Sequence, residues 1–210
     1  MKLNKFINAM AIASMVCAFG ASAQASHHKK AADMDSMDMS RYGGPVYEGA
    51  PALTVTASLV EAGGGADNFS IATALTSMVG QKAVGDEVAK LTNQYGQDKV
   101  NSWITVFNYA VGDALKIATN AGVKLPEGNL SGTDLAKTLV TAGLDKDGTF
   151  YTEFLLDKAV SHKIHVQVME DIDKKYGGKA DTDYHAITNQ AMVDLAHALG
   201  DSSVKLSDLH

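Results

Sequence analysis

The stretch Thr149 to Tyr176, TFYTEFLLDKAVSHKIHVQVMEDIDKKY, decides how the rest of the chain is read. At 3.6 residues per turn it predicts one helix of about seven turns. At about 100° per residue, Phe154, His165, Val168, Met169 and Ile172 fall within roughly 60° of one another. His162 lies about 60° to one side, over Tyr151, Leu155 and Val166. Both histidines therefore project toward the interior or its margin.

Outward from that stretch, apolar residues recur at helical spacing. Upstream, Leu53 to Ala62 is stopped by Gly63-Gly64-Gly65, and Asp67 is the expected N-cap of a helix through Val79. Ala83 to Tyr95 follows Gly80, then Asp98 to Ala121, closed by Gly122 and Val123 folding back. Ser131 or Thr133 opens a short helix ending at Gly143-Leu144. Downstream, Asp181 or Thr182 caps a last helix to Leu199, stopped by Gly200. About seven helices without a convincing alternating strand predict a single all-α domain over residues 51–210, globin-like or a helical bundle. No internal repeat is evident: TNAGVKLP and VTAGLDKD are similar helix endings that capping alone explains.

Composition agrees. The chain has 210 residues, 46% hydrophobic and 20% charged, with three prolines, which suits one helical domain with a real core. Its formal net charge of −6, with no basic stripe, argues against a nucleic-acid or membrane-surface partner.

Residues 1–25 read as an export signal. Lys2 and Lys5 precede an apolar run from Phe6 to Phe19 that is too short to span a bilayer. Ala21-Ser22-Ala23 or Ala23-Gln24-Ala25 then offers a small-residue cleavage site. The expected address is periplasmic or secreted, with no membrane attachment after signal removal. Cys17, the single cysteine, would leave with the signal. Residues 26–50 read as a flexible tail containing His and Met. Cleavage after Ala25 would place His28 third behind a free amine, a nitrogen set that suits Cu(II), and Met34, Met37 and Met39 add thioethers that suit Cu(I).

Chemistry-bearing residues are few. LDKDGTFYTEF misplaces the glycine and the glutamate of a calcium loop, so a turn and a helix start account for it. There is no G-x-S-x-G elbow and no glycine-rich phosphate loop, so an enzyme is not the expected reading. The histidines remain. His162 and His165, at i and i+3, are neighbours on a helix surface. A zinc or copper site would need His185 and an acid such as Asp171 or Asp173 to complete it. His197 points away and is expected to be exposed.

Three patches, FNYAVGDA (Phe107 to Ala114), DKAVSH (Asp157 to His162) and DYHAITNQAMVDLAHALG (Asp183 to Gly200), resemble bacterial truncated haemoglobins. The resemblance implies a globin-like fold and a haem iron held by His162. It also implies a porphyrin packed by Phe107, Trp103 and Tyr109. His165, Met169 and Met78 are further possible axial partners, and the lack of C-x-x-C-H makes any haem non-covalent. The expectation is an exported helical ligand-binding protein with haem iron as its cofactor. The alternatives are periplasmic copper or zinc binding through His162, His165, His185 and His28, and a helical protein-interaction module.

Overall fold

The computed structural model describes residues 53–207. The expected export signal, Cys17, and the expected tail with His28 lie outside these residues. Within them run eight α-helices: α1 (Leu53–Ala62), α2 (Ile71–Val79), α3 (Gln81–Tyr95), α4 (Gln97–Asn120), α5 (Gly132–Ala142), α6 (Thr152–Val160), α7 (His162–Tyr176) and α8 (Gly178–Ala198). A 3-10 turn at Ala66–Asn68 follows α1. Among the described residues the strands are β1 (Thr149–Phe150) and β2 (Lys205–Leu206), paired in parallel. The chain is all-α.

The helix expected over residues 149–176 is two helices. Its first residues form β1, and α6 ends at Ser161, whose backbone sits at φ 94°, ψ 150°. That region is open to glycine and strained for a side chain. Ser161 is the single non-glycine residue with positive φ among those described. His162 consequently opens α7 instead of lying in mid-helix. The break leaves no mark in DKAVSHK, which holds neither glycine nor proline. Several helix starts also move, α3 to Gln81 and α4 to Gln97 among them. Ser70, not Asp67, caps α2, its side chain accepting Thr73 N–H at 3.4 Å. The last helix begins at Gly178, before Asp181.

The fold also contains a repeat that linear reading misses. Helices of 9 and 15 residues, α2 and α3, recur at the same lengths as α6 and α7. Ile71 and Thr152, Gly80 and Ser161, Gly96 and Gly177, Asn108 and Asn189 are each 81 residues apart. Gly80, Gly96 and Gly177 share the backbone geometry of Ser161. One arm earlier, SLVEAG and TLVTAG end α1 and α5 on Gly63 and Gly143. A Cβ at Gly63 would collide with the ring of Phe69, and one at Gly143 with the ring of Phe150. Ser70 N–H then donates to Gly63 O, and Tyr151 N–H to Gly143 O.

Contacts between the halves are reciprocal. Trp103 Nε1 donates to Thr188 Oγ1 at 2.9 Å, and the equivalent pair, Tyr184 and Phe107, stacks tilted at 5.7 Å. Lys90 pairs with Asp194 where Asp171 faces Asp113. If residue i meets j in the other half, then i's counterpart meets j's, which is the signature of twofold-related units. One apolar core joins them, with Trp103, Val106 and Ala110 of α4 against Tyr184 and Ile187 of α8. Each such large side chain, fully buried, contributes about 1.5–3 kcal/mol.

Candidate metal centre

The turn at Ser161 folds the end of α6 back onto the first turn of α7. Three polar side chains converge there. His165 Nδ1 lies 2.7 Å from Asp157 Oδ1, and His162 Nδ1 lies 3.1 Å from the same oxygen. One donor atom from each residue falls within a 4.8 Å group that could hold a metal ion. Around a tetrahedral ion with bonds near 2.0–2.1 Å, neighbouring ligand atoms stand about 3.3 Å apart. The 3.1 Å spacing is close to that, and the 2.7 Å one is shorter.

Burial divides the trio. His165 is 2% exposed and Asp157 6%, whereas the side chain of His162 is 31% exposed. The centre therefore opens on the His162 side. A carboxylate only accepts hydrogen bonds, so an imidazole bound to Asp157 through Nδ1 directs its hydrogen there. The lone pair then falls on Nε2. For His165 that atom is buried with no hydrogen-bond partner among the described residues.

His165 also lines one of two related cavities. The larger, of about 100 Å³, and the smaller, of about 50 Å³, share Phe107, Leu59, Leu139 and Leu155 as common wall. Beyond that wall about half of the lining positions correspond across the repeat. Leu75, Met78, Trp103 and Met192 line the first where Leu156, Ala159, Tyr184 and Val111 line the second. The polar residues break the match. His165 stands in the smaller cavity where Val84 stands in the larger, and Glu87 stands in the larger where Val168 stands in the smaller.

The other expected site residues are dispersed. His185 does not join the trio: its Nδ1 lies 3.2 Å from Asp181 Oδ1 and its Nε2 3.9 Å from Glu153 Oε1. Burial disfavours its charge, but Asp181, Glu153 and Asp173 together raise its pKa above the usual histidine value. Neither Asp171 nor Asp173 completes the centre; Asp171 pairs with Lys174 at 3.1 Å. Asp157 takes that place. On a continuous helix Asp157 would lie about 140° around from His162, so only the break unites them. Trp103 packs edge-on to Phe107 at 6.0 Å, and Met169 is buried in the core. His197 is exposed, as expected, with Nε2 2.9 Å from Val204 O.

Compared with known families, curated proteins and solved structures, the chain matches none of them. Among the described residues no helix is long and apolar enough to cross a membrane.

Proposed function

We propose that the protein is an exported binder of a divalent transition metal, zinc or copper, at Asp157, His162 and His165. The observation that carries this reading is the convergence of both Nδ1 atoms on one carboxylate oxygen at 2.7 and 3.1 Å. Two imidazoles and a carboxylate form a ligand set that suits zinc or copper, leaving a position for water or a further ligand on the exposed His162 side. Ion-free, the same atoms hydrogen-bond to one another, so the centre is organised before binding. That lowers the ordering entropy an ion would otherwise have to offset.

Haem is the second reading, and one atom favours it. His165 Nε2 is bare, on an apolar wall, with its other nitrogen held by a carboxylate, as axial histidines commonly are. The magnitude runs the other way. Ligand pockets enclose about 300–1,000 Å³, and the space beside His165 is about 50 Å³. Haem would have to part α4 from α7, whereas an ion needs no more room than the trio provides.

Calorimetric titration of the full chain with Zn(II) and Cu(II) tests the proposal. Asp157→Asn, His162→Ala and His165→Ala should each weaken one site by roughly 100-fold or more, and His185→Ala should leave it unchanged. Equal affinity in all four variants would overturn it. A Soret band with haemin that is lost in His165→Ala would favour the second reading.

A further inference from the structure

The larger cavity has chemistry of its own, independent of the metal reading. Its walls are apolar, formed among others by Met78, Val84, Trp103 and Met192, and Glu87 reaches it from α3. Glu87 Oε1 is buried and has no hydrogen-bond partner among the described residues. The nearest cation is already engaged: Lys90 Nζ lies 2.5 Å from Asp194 Oδ2, which also accepts from Gln190 Nε2 at 3.1 Å. Asp194 itself lines the cavity. Two carboxyl groups thus face one apolar chamber with a single lysine between them. Glu87 and Asp194 hydrogen-bond to each other while one of them holds a proton, and once both are ionised the chamber lacks a positive, hydrogen-donating group attached to something apolar.

We infer that this cavity binds a small primary amine with a branched aliphatic body, its ammonium on Glu87 Oε1 and its hydrocarbon between Met78, Trp103 and Met192. Size limits the body. An engineered cavity of about 150 Å³ takes benzene, so about 100 Å³ suits about four carbons. Sign excludes the alternatives: a carboxylic acid would meet Glu87 and Asp194 with like charge, and an alcohol would leave their charge unbalanced. The smaller cavity offers no such partner, because Val168 replaces Glu87 there and its ionisable groups, His165 and Tyr184, include no carboxylate.

The chain's single tryptophan lines the chamber, so its fluorescence reports occupancy. The experiment titrates the full chain at pH 8 with isobutylamine, isobutanol and isobutyrate. Burial, then the charge and hydrogen bond of Asp194, push Glu87 up to about 7 against the pull of Lys90, so pH 8 keeps it ionised. Saturable Trp103 quenching by the amine is expected, with isobutyrate inert and the alcohol weaker. Glu87→Gln should weaken the amine roughly tenfold or more and spare the alcohol, since charge-assisted bonds are the stronger kind. Val84→Phe, which fills the chamber from its wall, should abolish both responses with helicity retained. Amine and alcohol binding alike in wild type and Glu87→Gln, or no saturable response, would overturn the inference.

Discussion

Asn108 and Asn189 perform one task twice. Each side-chain Oδ1 accepts, at 2.8 Å, the backbone N–H at the start of a helix in its own half: Ile71 for α2 and Thr152 for α6. A distant helix thereby caps the short helix packed against it, beside the local Ser70 cap at α2 and in place of a local side-chain cap at α6. This links the two repeats at the level of single hydrogen bonds.

The two asparagines should differ in weight. Asn189 is 3% exposed and also accepts Thr152 Oγ1 at 2.7 Å, so its loss orphans two buried donors. Asn189→Ala should cost about 3 kcal/mol and Asn108→Ala about 1 kcal/mol. Urea unfolding of both variants checks this; a larger cost at Asn108 would contradict the assigned roles.

Ser161 holds a backbone geometry that its counterpart, Gly80, adopts without a side chain. Such a residue stores about 1–3 kcal/mol of strain, against which glycine loses about 1 kcal/mol in entropy. Ser161→Gly should therefore stabilise the fold by about 1 kcal/mol and raise Tm by about 2–4 °C. Gly80→Ser should do the reverse. Thermal unfolding by circular dichroism reads both, and a lower Tm for Ser161→Gly would refute the strain.

Much of this was legible in the sequence, in proportion to how local its physics is. Helical periodicity gave the all-α class and most helix limits, because 3.6-residue spacing is written directly in residues such as Val84, Val88 and Leu91. The break at Ser161 was not legible: packing imposes it on a serine where the parallel junction spends a glycine. Losing that break also hid Asp157 as the third member of the centre. The repeat is faint because equivalent core positions exchange apolar types, Trp103 for Tyr184 and Leu91 for Ile172. Its clearest traces are the polar and glycine pairs, such as Asn108 with Asn189 and Gly96 with Gly177.

Stability should decline with pH in two successive windows. Glu87 is raised from 4.5 to about 7 on folding, so the folded state holds more protons between those values. Its contribution is intact below about 4.5 and is lost as pH rises toward 7. His185 is raised above 6.5, so its contribution is intact below that value and is lost as pH climbs through the higher folded pKa. Glu87→Gln should flatten the first window and His185→Gln the second. Urea midpoints measured from pH 4 to 9 would show it; unchanged slopes in the variants would contradict these titrations.

The central claim is that one ion sits between the Nδ1 atoms of His162 and His165. Nitrogen-15 NMR of the histidine rings, recorded on the full chain before and after one equivalent of Zn(II), tests it atom by atom. The account predicts that the Nδ1 resonances of His162 and His165 move to the metal-bound range, while their Nε2 atoms become the protonated nitrogens and His185 stays where it was. Unmoved Nδ1 resonances at both residues, with any zinc taken up elsewhere in the chain, would contradict it.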